Sequence, residues 1–355
     1  MTNSKKPPSV PKKDRKAATL KDVAKRAGVH TSTVSRVMNS AQRKMVSDSV
    51  AERVKKIATE MGYTANPFGY GLRTKKSNTI GVVVPDLTNP VFPPMMRGVG
   101  HTLREFGYTT ILADSNESVE TEKEIVDQMQ LQQVEGLILA SAHRADRIVE
   151  EALHQGLPLV LINRSTEKDG VVSVTNDDCH GAKLAVNHLI EMGHTKIAHL
   201  AGPRFLSTGN NRRNGYLAAL KKNKIRVNAK LTVTCNAFGI RDGVKGFHKL
   251  YKKGEPFTAI FAGNDAIALG CYQAIAELGL SCPDDISIIG YNDMPLVNLM
   301  QPRLSSVRID LYEMGSRAAN ALVELIQDQD TYPEPATLEP KLVIRDSVAD
   351  IRKKK

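Results

Sequence analysis

The sequence predicts a small all-α helix-turn-helix headpiece followed by a larger α/β region of two doubly wound parallel-sheet subdomains. Residues 19–39 show the spacing of two short amphipathic helices separated by a turn at Gly28. From Thr79 onward, short runs of Val, Ile and Leu alternate with helical stretches. Such runs are typical of strands covered on both faces, and their alternation with helices indicates βαβ units. A chain of 355 residues is long enough for two or three domains.

The headpiece prediction depends on signals that begin and end helices. Thr19 can cap the first helix, with Asp22 answering as a capping box, and Gly28 permits the left-handed turn that ends it. A second helix from about Thr31 buries Val34, Val37 and Met38. Its predicted outward residues are Thr31, Ser32, Ser35 and Arg36. This shape fits a DNA major groove, although periodicity alone also fits two ordinary amphipathic helices.

The positive charge is concentrated at the N-terminal end of the chain. Residues 1–80 hold 18 Lys and Arg but five Asp and Glu, a net charge of +13 within a chain total of +11. The remainder therefore carries −2, and the excess lies beside the predicted helix-turn-helix. This asymmetry favours a polyanion such as nucleic acid as a partner. For residues 1–17 alone, a solvated tail that aids solubility is an equally good interpretation.

The amino-acid sequence of the headpiece resembles that of a known family. DVAKRAGV, TVSRVMN and then GYTANP at 62–67, after a third helix from about Ser47, resemble the headpiece of the lactose/galactose repressor (LacI/GalR) family. The resemblance continues from about Ala18 to Val348. It implies a headpiece (18–66), a hinge (67–78) and an effector-binding and dimerisation domain (79–348). The composition of the flanking residues indicates a disordered basic tail (1–17) and a basic C-terminal tail (349–355).

The same resemblance implies the function and the shape of the large domain. That domain is expected to be periplasmic-binding-protein-like, with one subdomain from 79–176 and 309–330 and the other from 177–308 and 338–348. We expect a sequence-specific transcriptional regulator, a repressor, that binds a pseudo-palindromic operator as a homodimer. A small metabolite in the cleft, such as a sugar or sugar acid, is expected to control it. The chain ends without the heptad-bearing tail of tetrameric relatives, which favours a dimer.

The resemblance assigns DNA contacts to the second helix and to the hinge. Thr31, Ser32, Ser35 and Arg36 are expected in the major groove. Leu72 matches the hinge leucine that wedges into the minor groove, although Gly69 and Gly71 disfavour a hinge helix in the free protein. His30 stands where relatives often carry a capping Ser, so we expect a weaker cap there.

The expected effector contacts follow predicted strands or lie on the helix after one. Phe92 and Asn163 match cleft positions of the family, and Arg212 matches its R-x-x-G-[YF] arginine, with Arg213 as a competitor. A guanidinium suits hydroxyls or a carboxylate. The alternative is that Arg212 forms a salt bridge on its helix face.

Two further cleft positions come from paired residues at strand ends. The resemblance places the pair Asn264-Asp265 at the cleft, with Asn264 contacting the ligand. The alternative is that Asp265 caps the helix that follows, either instead of or in addition to a ligand role. Asn292 stands where the family commonly has Asp, so either Asn292 or Asp293 could meet the effector.

Other function classes find little support. No P-loop, GxSxG, HExxH or complete GxGxxG occurs, so an enzyme on a doubly wound fold is disfavoured. The four cysteines are scattered, and His194 and His199 have a poor ligand spacing and are expected at the surface and in the core, so no metal or cofactor is expected. No apolar run spans a membrane and no secretory signal precedes the headpiece. This favours a cytoplasmic regulator over a binding protein for sugar uptake.

Overall fold

The structure is a computed structural model that describes residues 18–38, 43, 45–63, 77–328 and 333–354. It divides into two compact units, residues 1–77 and residues 78–355. The expected basic tail and most of the expected hinge, including Leu72, lie outside the described residues.

The first unit contains a three-helix cluster. Its helices are α1 (Leu20–Ala27), α2 (Thr31–Met38) and α3 (Asp48–Glu60). The predicted capping box is present: the Thr19 side chain accepts a hydrogen bond from the Asp22 amide, and the Asp22 carboxylate accepts one from the Thr19 amide at 2.9 Å. Gly28 has φ of 63°, as the helix-ending turn requires. Val23, Val34 and Val54 are fully buried where the three helices meet.

The second unit alternates strands and helices. Its strands are β1 (Thr79–Val84), β2 (Thr109–Asp114), β3 (Gly136–Leu139), β4 (Leu159–Ile162), β5 (Val172–Asn176), β6 (Ile197–Ala201), β7 (Thr232–Thr234), β8 (Ala259–Ala262), β9 (Ser287–Asn292), β10 (Ser305–Arg308), β11 (Ala336–Leu338) and β12 (Lys341–Val343). Its α-helices are α4 (Phe92–Glu105), α5 (Val119–Leu131), α6 (Arg147–His154), α7 (Asp178–Glu191), α8 (Ser207–Lys222), α9 (Ile240–Tyr251), α10 (Asp265–Glu277) and α11 (Leu311–Gln327). Short 3₁₀ turns occur at Ala229–Leu231, Val297–Leu299 and Ile351–Lys354.

Within the described residues, the strands form two six-stranded sheets with the same plan. The first lobe is built on β11-β5-β4-β3-β1-β2 and the second on β12-β10-β9-β8-β6-β7. All pairings are parallel except β10 with β12, which is antiparallel. The central strands β3, β4, β6, β8 and β9 are buried throughout, as strands covered by helices on both faces must be.

The chain passes between the lobes three times. It leaves the first sheet after Asn176, returns after Arg308 into α11, and crosses again between β11 and β12. The last crossing differs from the sequence-based division, because Leu338 pairs with Asn176 in the first lobe. Strand β11 has three residues between proline-containing segments, so no apolar run marked it in the sequence.

Helices α4 and α11 pack at unusually short range in the first lobe. A Cβ atom on Gly98 would lie 2.2 Å from the Tyr312 carbonyl oxygen, and one on Gly315 would lie 2.0 Å from the Met95 carbonyl oxygen. Only glycine allows the two backbones to approach so closely. The pair holds α4, which begins at Phe92, firmly against the lobe.

Candidate nucleic-acid interface and ligand cleft

The outer face of α2 carries the residues that the sequence places there. Arg36 is exposed, and Thr31, Ser32 and Ser35 are partly exposed, while Val34 and Val37 are buried. Short polar side chains and one long cation therefore face away from the three-helix core. This is the face that a recognition helix presents to base edges.

The N-terminus of α2 is capped by an imidazole ring. His30 Nδ1 accepts a hydrogen bond from the Ser32 amide at 3.2 Å and lies 2.8 Å from the Ser32 hydroxyl oxygen. The ring nitrogen thereby takes the place of the side-chain oxygen that usually accepts a hydrogen bond at a helix N-terminus. The sequence, judged by the usual capping residues, did not predict this contact.

A cleft between the lobes brings together side chains from the carboxyl ends of both sheets. At its base lies a cavity of about 20 Å³. Its lining residues are Asn89, Val91, Phe92, Asn163, Arg164, Thr208, Arg212, Phe238, Asn264 and Asn292. Five of the six predicted effector residues are among them. The carboxyl ends of parallel strands are where ligands bind in doubly wound sheets.

Arg212 is buried and already engaged. Its Nε donates to an Asp178 carboxylate oxygen at 2.8 Å and its Nη1 to the Gly263 carbonyl oxygen at 2.8 Å. The guanidinium carbon lies 3.8 Å from the centre of the Tyr291 ring. Burial raises the pKa of Asp178 and the Arg212 charge opposes that rise. The competitor Arg213 is partly exposed and does not line the basal cavity.

Asn264 both caps a helix and faces the cleft. Its Oδ1 accepts from the Ile267 amide at 2.8 Å, and its Nδ2 donates to the Phe238 carbonyl oxygen at 3.1 Å. The alternative in which Asp265 caps the helix is wrong, because Asn264 is the capping residue and Asp265 accepts a hydrogen bond from Ser306 Oγ at 2.6 Å. Burial raises the pKa of Asp265 to about 7, against the effect of its hydrogen bonds.

The structure separates the two residues that end β9. Asn292 has φ of 108°, lines the basal cavity and keeps its Oδ1 without a hydrogen-bond partner among the described residues. Asp293 instead forms ion pairs of 2.7 Å with Arg308 and with Arg345. The geometry therefore favours Asn292 at the cleft.

A second cavity, of about 190 Å³, continues the cleft from the basal one. Arg164, Glu122 and Ser141 line it from the first lobe. Arg164 Nη1 donates to the Ser141 carbonyl oxygen at 3.0 Å, and Ser141 Oγ donates to Glu122 at 2.6 Å. Burial raises the pKa of Glu122 to about 7, although the Ser141 hydrogen bond lowers it.

Sequence reasoning missed this second group of residues. Arg164 directly follows Asn163 after β4, so the strand-end rule that selected Asn163 applied to it equally. Glu122 lies in the first turn of α5, where an acidic residue is explained by the helix dipole alone. Only the fold reveals that it is buried.

A third, more open cavity of about 670 Å³ forms the outer part of the cleft. Phe238 lines both it and the basal cavity, and Glu117 lines both it and the 190 Å³ cavity, so the three spaces adjoin. Its rim is acidic on one side, where Asp86, Glu117 and Asp242 gather. Burial, with the charges of Asp86 and Asp242, raises the pKa of Glu117 against the opposing effect of Arg164.

Comparison with known proteins assigns both units. Residues 19–66 match the family model described as bacterial regulatory proteins, lacI family, and residues 186–348 match the periplasmic binding protein-like domain. The chain is 33% identical to the HTH-type transcriptional repressor CytR of Escherichia coli strain K12 over 95% of this chain and 98% of that protein. The chain belongs to the lacI family of bacterial regulatory proteins.

Two solved structures of transcriptional regulators are similar to this chain over most of its length. The lac repressor dimer bound to operator and the anti-inducer ONPF matches with a TM-score of 0.82 at 27% identity, covering 94% of this chain and 100% of that one. The complex of the transcriptional regulator CelR with cellobiose matches with a TM-score of 0.71 at 30% identity, covering 93% and 99%. The predicted fold class and family are therefore confirmed.

Two observations bear on other classes of function. In the described ranges, no helix has the length and apolar character needed to cross a membrane. His194 and His199 are both buried, so the expectation of a surface position for His194 is wrong. His194 approaches Thr258 and the Ala349 carbonyl oxygen, which makes it a structural residue of this lacI-family fold.

Proposed function

We propose that this protein represses transcription by binding a pseudo-palindromic operator as a homodimer and that a small carbohydrate-like effector in the interlobe cleft controls the binding. The observation that carries the proposal is the pairing of two parts in one chain. One is a lacI-family headpiece with an outward polar and basic face on α2. The other is a cleft lined by five of the side chains that are predicted to contact the effector. A protein that binds DNA in a bacterium acts in the cytoplasm.

In the headpiece, Arg36 is the residue we assign to sequence reading. Its exposed guanidinium offers a fork of donors suited to the O6 and N7 atoms of guanine. Thr31, Ser32 and Ser35, on the same face, suit shorter contacts to bases and phosphates. Leu72 is proposed as a minor-groove wedge, in keeping with its register in the family.

In the cleft, Asn163, Asn264 and Asn292 supply amide groups, Arg212 a fixed cation and Phe92 an apolar wall. Amides and arginine suit the hydroxyl groups of a carbohydrate, and CelR is a relative whose structure contains cellobiose. Asn292 is the best placed of the amides, because its free Oδ1 can accept a ligand hydroxyl.

A gel-shift assay with the DNA upstream of the protein's own gene tests the proposal. The full chain is expected to bind that DNA far more tightly than random DNA of equal length. Arg36→Ala is expected to lose about 1–3 kcal/mol on the operator and to keep its affinity for random DNA. Equal losses on both DNAs would remove Arg36 from sequence reading.

The same assay separates the rival functions. A binding protein for sugar uptake, or an enzyme on this fold, would show no preference for the upstream DNA. A chain that prefers its operator but responds to no carbohydrate would retain the DNA-binding half of the proposal and lose the effector half.

A further inference from the structure

We propose that the second lobe carries a DNA-binding surface of its own, which holds the phosphate backbone of duplex DNA without reading its sequence. The surface consists of the cations of residues 221–230 and 249–253 together with Lys196, and we call it the basic edge. This inference goes beyond the proposed function, because the reading of an operator by α2 and the binding of an effector in the cleft do not require such a surface.

The basic edge lies at the amino ends of strands in the second sheet. Helices α8 and α9 end at Lys222 and Tyr251, shortly before the chain enters β7 and β8. The Thr258 amide donates a hydrogen bond to the Lys196 carbonyl oxygen at 2.9 Å, where β8 and β6 begin side by side. Because the cleft lies at the carboxyl ends of the same parallel strands, a partner of the basic edge does not compete with the effector for space.

Hydrogen bonds and charges connect the segments of the basic edge. Lys253 Nζ donates to the carbonyl oxygens of Lys230 and Thr232, at 3.1 and 3.0 Å. The segment after α9 therefore lies against the segment that joins α8 to β7. A hydrogen bond from Lys230, with a contribution from the charge of Lys196, lowers the pKa of Glu255. Cations from three separate segments thus form one surface.

This surface has a large excess of positive charge. Residues 221–230 contain four lysines and one arginine, residues 249–253 contain three lysines, and neither range contains an acidic residue. Among the residues that the structure describes, Lys230 is the only one of these cations in an ion pair, with Glu255 at 2.7 Å. The chain after residue 80 has a net charge of −2, so the excess is local to this surface.

Helix dipoles explain only part of the positive charge. Lys221, Lys222 and Lys249 lie in the last turns of α8 and α9, where cations offset the partial negative charge of a helix C-terminus. Arg226 and Lys196 lie in connecting segments, and the effect of a dipole falls off within the last turn. The dipoles therefore do not explain why cations of three segments collect at one end of the sheet.

The composition of the basic edge favours DNA over an acidic protein as its partner. Eight of its nine cations are lysines, and Arg226 is the exception. Lysine is depleted in protein–protein interfaces, where aromatic residues and arginine supply most of the binding energy. A lysine ammonium is a point charge on a flexible stem, which suits phosphate oxygens better than a fixed pattern of hydrogen bonds. We therefore expect contacts to phosphates and no preference for base sequence.

A second DNA-binding surface has a consequence for regulation. A chain that holds one DNA segment by its headpiece keeps the neighbouring segments of that molecule at a high local concentration. Weak phosphate contacts at the basic edge are then sufficient to hold a second segment. The protein would bridge two parts of one DNA molecule without needing a second operator.

Lysine footprinting of the full-length protein tests the surface directly. The protein is acetylated briefly with and without an excess of a short random-sequence duplex, and mass spectrometry measures the acetylation of each lysine. Lys222 and Lys252 are expected to react several-fold more slowly with DNA at low salt and to lose this protection at high salt, because phosphate contacts release counterions. Lys168 and Lys341 are exposed elsewhere on the same unit and are expected to react equally with and without DNA.

A bridging assay tests the same surface with variants. The full-length protein is bound to an immobilised random-sequence duplex, and the capture of a second, fluorescent duplex is measured over a range of salt concentrations. The edge variant combines Lys222→Gln, Arg226→Gln and Lys252→Gln, and the control variant combines Arg147→Gln, Lys168→Gln and Lys341→Gln.

Both variants lose the same charge from exposed positions, so only the location of the change differs. The edge variant is expected to capture the second duplex about tenfold more weakly than the parent. Its plot of log affinity against log salt is expected to be flatter by up to about 3, since each phosphate contact contributes about 0.9 to the slope. The control variant is expected to capture the duplex as the parent does.

Three results would overturn the inference. The first is equal acetylation of Lys222 and Lys252 with and without DNA. The second is equal capture of the second duplex by the edge and control variants. The third is protection of the basic edge by polyglutamate but not by DNA, which would assign the surface to an acidic protein. No readout depends on an operator or an effector, so a failed operator assay would disprove the proposed function without affecting the basic edge.

Discussion

The two lobes that form the cleft have the same plan of strands, but they differ in how their charged side chains are paired. In the second lobe, Asp265 accepts two hydrogen bonds, Asp293 has two arginines, and Arg212 is paired with Asp178. In the first lobe, Arg164 and Glu122 share Ser141 without an ion pair between them, and Glu122 has a pKa near neutrality. The second lobe therefore holds Arg212 and Asp293 in ion pairs, whereas Arg164 and Glu122 of the first lobe form none among the described residues. Each lobe also has one buried carboxyl, Asp265 or Glu122, whose pKa burial raises to about 7.

Breaking the paired charges of the second lobe is expected to have the largest effect. Arg212→Met leaves Asp178 buried without its partner, which is expected to cost about 3–5 kcal/mol of unfolding free energy. The double variant Arg212→Met with Asp178→Leu is expected to recover much of that loss, because no buried charge remains. Chemical denaturation measures both.

The control for this experiment is an exposed pair in the same lobe. Arg303 and Asp346 form an ion pair with about half of each side chain exposed. Arg303→Ala is therefore expected to cost about 1 kcal/mol or less. A similar cost for Arg212→Met would mean that the two lobes do not differ in the way described.

The buried Glu122 of the first lobe is expected to make the free energy of unfolding depend on pH. Because the folded-state pKa of Glu122, about 7, lies above its usual value of 4.5, the folded state holds more protons between those values. Stability from this group is fully present below about pH 4.5 and is lost as pH rises through about 7. Glu122→Gln is expected to remove this component, up to about 3 kcal/mol, from stability measured between pH 4.5 and 8.

Two features keep this measurement specific to Glu122. Asp265 also has a raised pKa and adds a background slope, which is the same in parent and variant. Glu120, exposed on the same helical turn, provides the control Glu120→Gln, which is expected to leave the profile almost unchanged. Parallel profiles for parent and Glu122→Gln would contradict the assignment.

A smaller effect is expected from the cap that faces the cleft. Asn264→Ala removes the side-chain cap of α10 and is expected to cost about 1 kcal/mol. Asn264→Ser keeps a capping acceptor for the Ile267 amide but removes the Nδ2 donor, so it is expected to retain more stability than Asn264→Ala while effector binding weakens. Calorimetry with whichever sugar or sugar derivative binds the parent measures the second effect.

The first lobe offers a matched cap that is remote from the basal cavity. Asp310 caps α11 through the Glu313 amide at 3.0 Å. Asp310→Ala is expected to lose a similar amount of stability and to bind effector as the parent does. If both alanine variants lost effector binding equally, Asn264 would act only through stability.

The headpiece and the strand pattern were predictable because they depend on local signals. The Thr19 capping box, the turn at Gly28 and the apolar spacing of α2 are all encoded within a few residues. The alternation of apolar runs with helices gave the sheet class in the same way. The three-residue strand β11 was not predictable, since its pairing with β5 depends on residues far apart in sequence.

The position of the cleft was predictable from the sequence, but the partners of its charged side chains were not. Position after a strand located Asn163, Asn264 and Asn292, whereas the partners of each charge depend on tertiary contacts. Judged from the sequence alone, Arg212→Ala would be expected to remove the response to effector and leave operator binding intact. The ion pair with Asp178 shows that this variant also loses stability, so it no longer isolates the ligand contact.

The three crossings between the lobes have a consequence for synthesis on the ribosome. The edge strand β11, which completes the first sheet, is made after nearly the whole second lobe. The first lobe also lacks α11 until then, and α11 covers the helix that begins at Phe92. Neither lobe can finish folding as an independent N-terminal domain, so the nascent chain exposes apolar sheet surface until residues 311–343 emerge. A chain that stalls before Leu311 is therefore expected to be a substrate for chaperones and proteases rather than a functional fragment.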